Sequence, residues 1–232
     1  MVHKHFHKEL DKIKQKILTL GKLVEERFNM AVNAIKAIDG DLALKIIKSD
    51  YEIDQMEVDV EEECLKVLAL YQPVAVDLRF IIAVIKINND LERIGDEIVN
   101  IAMRINSIYK IIKNKIDQTV DLSYNYTEMA CKVNIMLKSS LDALVNLDVK
   151  LAFKVCLDDD AVDKIKTDVY NATKEEIKKN PDKTNYLINV LLISRHLERI
   201  GDHATNIAEE VVYLCEGAII RHELISKNLQ AQ

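Results

Sequence analysis

The chain has little of what interrupts regular structure. It contains five glycines and two prolines in 232 residues. A sheet protein needs many more turn-forming residues than that, so an all-β or doubly wound α/β fold is excluded. Tryptophan is absent and aromatic residues make up 5% of the chain. No C-x-x-C pair occurs among Cys64, Cys131, Cys156 and Cys215, which fits isolated thiols in a reducing compartment rather than a disulfide framework or a zinc site. The longest apolar run is near Phe80 to Ile85 and stops at Lys86, far short of the ~20 residues of a membrane span. The N-terminal His3, His5 and His7 lie in a stretch without the apolar centre of a signal peptide, and no functional role is expected for them. There is no basic block, and with a formal net charge of −6 nucleic acid is a poor partner.

What remains is 49% hydrophobic and 30% charged residues of mixed sign, the composition of long amphipathic helices. The rare breakers divide the chain into six such segments: Phe6 to Ile38, Leu42 to Tyr71, Val74 to Lys113, Tyr124 to Leu147, Lys150 to Lys179 and Asn185 to Leu214. Gly40 is expected to end the first helix and Asp41 to cap the second. Short connections make neighbouring helices antiparallel.

The segments form two sets of three. Leu91 to Asp96 and Leu197 to Asp202 both read LERIGD, and nine of twelve positions match when each is extended by six residues. The offset is 106 there and 109 upstream, where Asp50 and Asp54 align with Asp159 and Asp163. The expected fold is all-α, two tandem antiparallel three-helix bundles made by internal duplication, with residues 1–115 and 118–232 as the two repeats. In the third helix of each set, Ile87, Leu91, Ile94, Ile98, Ile101, Ile105 and Ile108, and Ile193, Leu197, Ile200, Ala204, Ile207, Val211 and Leu214, recur in steps of four and three. That spacing marks the buried seam of a bundle.

With the seam inward, carboxylates gather on other faces. Glu92 with Asp96, Glu198 with Asp202, Asp50 with Asp54 and Asp159 with Asp163 are each spaced i, i+4 on one helix face. Like charges at that spacing cost a few tenths of a kcal/mol, and their recurrence by duplication suggests that function retains them. Oxygen donors without thiolates suit hard cations: iron, manganese, magnesium or calcium. The bland alternative is a solvated acidic face neutralised by Arg93, Arg199 and nearby lysines. Glu57 and Glu61 extend the first stripe, but their counterparts are Lys166 and Tyr170, so the second set is poorer and His203 is a candidate to supplement it. Gly95 and Gly201 allow close helix approach or space for an ion, and Asn100 and Asn206 are further ligands or plain surface residues. No E-x-x-H ligand set, phosphate-binding glycine loop or nucleophile–base spacing is present, so no catalytic residue and no organic cofactor is expected.

Two LERIGD segments, each preceded by D-x-x-x-D, the run from Met56 to Asp96 with its order QP, DLR, IK and LERIGD, and a closing Arg221-His222 resemble the PhoU family of bacterial phosphate-uptake regulators. The resemblance covers nearly the whole chain. It implies a pair of three-helix bundles and surface metal clusters on Asp50, Asp54, Glu92, Asp96, Asp159, Asp163, Glu198 and Asp202. It also implies a non-enzymatic, cytoplasmic negative regulator between the ATPase subunit of a phosphate ABC transporter and a phosphate-sensing histidine kinase. It would be a homodimer that meets the membrane only through those partners. A metal store or metal-carboxylate enzyme, and a metal-free helical adaptor, are the rival readings.

Overall fold

The computed structural model describes residues 2–114 and 126–217. Arg221 and His222 lie outside them, as does the expected helix start at Tyr124. The described residues form α1 (Val2–Ala37), α2 (Gly40–Lys48), α3 (Tyr51–Tyr71), α4 (Ala75–Asn114), α5 (Tyr126–Asn146), α6 (Val149–Lys179) and α7 (Thr184–Glu216), with a 3-10 turn at Pro181–Lys183 before α7. The all-α expectation holds. One expected helix, Leu42 to Tyr71, is two. Ser49 closes α2 by turning both its N–H (3.1 Å) and its hydroxyl (3.0 Å) onto the carbonyl of Ile46, and α3 restarts at Tyr51. Serine and aspartate side chains compete for backbone groups in this way, which is why they end helices. The equivalent Asp158–Asp159 lies inside an unbroken α6.

Charged pairs set the helix directions. Lys12 reaches Glu63 at 2.6 Å and Arg27 pairs with Glu52, so α1 and α3 are antiparallel. Asn88 on Glu57, with Gly95 against Ile53, shows the same for α3 and α4, and Lys166 on Glu198, with Gly201 beside Asp159, for α6 and α7. The two lobes meet along α4 and α7 and along α1 and α5, where Asn134 donates to Asn29 at 2.9 Å. One continuous apolar cluster runs through both. Every expected seam residue of α4 is buried, and so are those of α7 as far as Val211; Leu214 is half-buried.

The corner between the first two helices is built differently from the expectation. The left-handed residue is Ile38, with φ 50°, and Asp39 rather than Asp41 is the cap. Asp39 Oδ1 accepts from the N–H groups of Asp41 (3.0 Å) and Leu42 (2.9 Å). Leu147 (φ 51°) and Asp148 repeat this corner at an offset of 109, with Asp148 Oδ1 accepting from Leu151 N at 3.0 Å. The duplication thus extends to this turn, where Asp39 and Leu42 recur as Asp148 and Leu151. Gly40 is the first residue of α2, and its role is contact: a Cβ there would lie 2.5 Å from Cδ1 of Tyr109.

Gly40→Ala should therefore destabilise the protein by about 1–3 kcal/mol, because the root of an aromatic ring has to move. Urea denaturation measures this. A midpoint equal to or above that of the wild type would show that the α2–α4 contact yields freely.

Candidate functional site: two carboxylate surfaces and the seam between them

Each lobe carries an acidic surface where its two motif-bearing helices run side by side. In the first, Asp50 stands at the break just before α3, Asp54 is exposed one turn on, and Glu92 and Asp96 are half-buried on α4. The groups feel one another. Partial burial first, and then the charges of Asp54 and Asp96, raise the pKa of Asp50. Burial and Asp96 likewise raise Glu92, and burial raises Asp96 against the pull of Arg93, with Asp54 adding to it. Glu57 is raised by burial, Glu61 and Asp54. Arg93 offers loose compensation, 3.5 Å from Glu92 and 3.7 Å from Asp96. Gly95 between them is a packing residue: a Cβ would sit 3.1 Å from Ile53.

In the second lobe, Asp159, Asp163, Glu198 and Asp202 gather likewise. Asp159 is pushed up to about 6 by burial, then by Asp202, Asp163, Asp160 and Glu198. Asp202 is also pushed up to about 6, by burial, Glu198 and Asp163, against the opposing charges of His203 and Lys166. Gly201 lets the Asp159 carboxylate lie against α7, its Oδ1 3.4 Å from where a Cβ would stand. The contrast with the first lobe is Lys166. Its ammonium donates to Glu198 at 2.5 Å and to Asp163 at 3.1 Å, standing between acids of both helices. Its counterpart is Glu57, so the duplication puts a built-in cation in one lobe and another carboxylate in the other.

The donor set of the first surface, oxygen only and mutually repelling, fits a hard cation in chemistry. Among the described residues, no three His, Cys, Asp or Glu side chains already stand in a coordinating arrangement. His203 does not join the second acidic surface. It faces the other lobe, where its Nδ1 is 2.8 Å from Asp90 Oδ1, and Asn206 donates to the same oxygen at 3.1 Å. Arg199 is likewise withdrawn from Glu198 and Asp202, and binds Glu97 at 2.6 Å.

These contacts belong to a polar ladder along the antiparallel α4–α7 seam, which lies apart from the carboxylate motifs. Glu97, 3% exposed, receives Arg199 and stands 2.6 Å from His196 Nδ1. Lys86 pairs with Glu210 at 2.8 Å, and Arg79 and Lys86 cover the Tyr213 ring. At the offset of 106, Asp90 corresponds to His196 and Glu97 to His203. The two carboxylate–imidazole pairs are therefore one contact seen twice through a pseudo-two-fold axis, with both acids on α4 and both bases on α7. The signal was present in the sequence: Glu97 and His203 occupy the first position at which the two extended LERIGD runs differ.

Burial pushes Glu97 upward, but the hydrogen bond to His196 and the charge of Arg199 outweigh it and hold the carboxyl below its ordinary value. A depressed carboxyl stabilises the fold above its unfolded pKa, and that contribution is lost as pH falls through the folded value. Asp159 and Asp202 have the opposite sign. Their raised values mean that the folded chain holds protons more tightly than the unfolded one, so their charge weakens the fold above about 6 and ceases to do so as pH falls toward 4. Glu97→Gln should cost about 1–2 kcal/mol at pH 7. Asp159→Asn should gain about 1 kcal/mol at pH 7.5 after solvent screening, and nothing near pH 4. Unfolding midpoints at the two pH values test both. A destabilised Asp159→Asn at neutral pH would contradict the assigned repulsion.

The PhoU domain family matches this chain twice, over residues 17–105 and 126–211. Proteins described as phosphate-specific transport system accessory protein PhoU homologs are similar over nearly the full length. That of Pseudomonas aeruginosa is 36% identical, covering 95% of this chain and 89% of that protein, and that of Clostridium acetobutylicum is 34% identical, covering 94% and 97%. The crystal structure of PhoU from Pseudomonas aeruginosa superposes with a TM-score of 0.86 at 36% identity, over 92% of this chain and all of that one. That of the phosphate transport system regulatory protein PhoU from Streptococcus pneumoniae gives 0.79 at 30% identity, over 94% of this chain and all of that one. Two copies of one domain, each with its own LERIGD helix in an equivalent place, and relatives alike from end to end: the chain belongs to the PhoU family.

Proposed function

We propose that this chain is a negative regulator of phosphate uptake that acts by contact. It restrains a phosphate ABC transporter through the ATPase subunit and keeps a phosphate-sensing histidine kinase in its repressing state. The observation that supports this reading is similarity over both lobes to proteins named for phosphate-specific transport. Helices of up to 40 residues offer long faces to partners, and the acidic surfaces would meet basic ones. Such complementarity governs association rate and specificity more than final affinity. No described helix is long and apolar enough to cross a membrane.

Hard cations on the acidic surfaces are part of the same proposal. Asp50, Asp54, Glu92 and Asp96 would hold iron, manganese, magnesium or calcium, which would supply the positive charge that Lys166 provides in the second lobe and that Glu57 does not in the first. Asp159, Asp163, Glu198 and Asp202 would do so less readily, because Lys166 competes for two of them. Metal analysis of protein purified without chelator tests this. Asp54→Asn with Asp96→Asn should lower the metal content more than Asp163→Asn with Glu198→Gln does. Unchanged stoichiometry in the first double variant would remove those residues as ligands.

The regulatory reading is tested in a deletion strain grown in high phosphate. Uptake-gene expression should rise and should return to the repressed level with the wild-type chain. Repression that persists in the deletion strain would refute the assignment. A variant neutralised at Glu92, Asp96, Glu198 and Asp202 should rescue poorly. Full rescue would leave the regulator in place and remove these carboxylates from its mechanism.

A further inference from the structure

Two cavities occupy equivalent places in the two lobes. The first, about 700 Å³, opens between α3 and α4 and is lined by Glu57, Glu61, Ile85, Lys86 and Asn89, with Asn206, Glu209 and Glu210 from α7 closing one side. The second, about 620 Å³, lies between α6 and α7 and is lined by Lys166, Tyr170, Leu191, Leu192 and Arg195, together with Thr167 and Arg199. At the duplication offsets Glu57 becomes Lys166, Glu61 becomes Tyr170, Lys86 becomes Leu192 and Asn89 becomes Arg195. The helices that frame the two cavities are the same pair in the same antiparallel arrangement. Packing therefore does not require the exchange of charge and polarity, and the lining of the second cavity calls for another explanation.

That lining has two halves. Leu191, Leu192 and Tyr170 make an apolar floor, and the tyrosine is 52% exposed with its ring free to take a flat partner. Around it stand three cations against one acid, Glu198. Lys166 is held by Glu198 and Asp163, and Arg199 by Glu97, so both are fixed in place. Arg195 is exposed, and among the described residues no carboxylate lies within ion-pair distance of it. It is one helical turn from Arg199 on the same face of α7, so the two guanidinium groups can engage one anion together. Guanidinium forks match the oxygens of phosphate, and Thr167 adds a hydroxyl. The volume falls within the range of small-molecule sites, far larger than a bare ion needs.

We propose that the α6–α7 cavity of the second lobe binds an organic phosphate of the nucleotide class. The base lies over Tyr170 and the leucine floor, and the phosphate sits on Arg195 and Arg199 with Lys166 at the edge. The acidic first cavity has no such capacity. The site adjoins the second carboxylate surface, with which it shares Lys166 and Glu198, and it needs no metal to take its ligand.

Isothermal titration of the full chain tests it, with ATP, AMP, adenosine and inorganic phosphate as separate probes and with chelator present to exclude metal-bridged binding. ATP and AMP should bind saturably, and adenosine and inorganic phosphate at least ~10-fold more weakly than AMP. Arg195→Glu and Leu192→Lys should each weaken AMP binding by ~10-fold or more, whereas Asn89→Asp in the first cavity should leave it unchanged. Arg195 is exposed, so folding of its variant is expected and is checked by circular dichroism; Tyr170→Ala serves as the second variant. The proposal is overturned if neither nucleotide binds at about 1 mM. It is equally overturned if inorganic phosphate or adenosine binds as well as AMP, or if Arg195→Glu and Tyr170→Ala both bind like the wild type. Its failure would leave the regulatory reading untouched, since that reading is tested in the deletion strain.

Discussion

Everything in this protein hangs on the two LERIGD helices, because each is asked to be interior on more than one side. α4 packs against α1, α2 and α3 within its own lobe and against α7 across the lobes; α7 packs against α5, α6 and α4. An ordinary surface helix needs a single apolar stripe. These two need a stripe, a face that tolerates a neighbouring lobe, and still a side left for carboxylates. That explains the glycine at 95, where Ile53 of α3 presses against the backbone. It also explains why the charged groups of the seam come in pairs, since an unpaired charge there would cost several kcal/mol.

How much of this could be read in the residues depended on whether the signal was local. The period-3.5 run from Ile87 to Ile108 is a local pattern, and it predicted burial residue by residue. The duplicated carboxylates were visible in the same way, as repeats. The corner at Ile38 was not visible, because a β-branched residue at positive φ contradicts its own preference and is held there by the packing around it. Nearby Gly40 attracted the turn assignment, yet what it provides is the absence of a side chain beside Tyr109. The break at Ser49–Asp50 was hidden by the apolar periodicity that continues across it. His203 was placed beside Asp202 because they are adjacent in sequence, whereas side chains one position apart on a helix point in different directions. Its partner Asp90 is 113 residues away.

The two halves also differ in ways that duplication alone would not leave. The first leaves its acids with only the loose compensation of Arg93 and its motif helix broken at Asp50; the second threads Lys166 between its acids and keeps α6 whole. With the scaffold held constant, such differences read as a division of labour between the lobes. Asp159 and Asp202 are both pushed up to about 6 despite the lysine; Asp159 is half-buried, whereas Asp202, like Asp163, stands at the surface among neighbouring acids.

The exchange of acid and imidazole across the seam bears on how such a molecule avoids pairing with the wrong half. If two first lobes met through α4 in this geometry, Asp90 of each would face Glu97 of the other, acid against acid. If two second lobes met through α7, His196 and His203 would face each other and leave Arg199 without its carboxylate. Only the mixed arrangement brings each acid to a base. Discrimination of this kind works by penalising the alternatives as well as rewarding the correct match. Newly made chains crowded on one ribosome cluster therefore have a reason to close each upon itself instead of trading lobes with a neighbour.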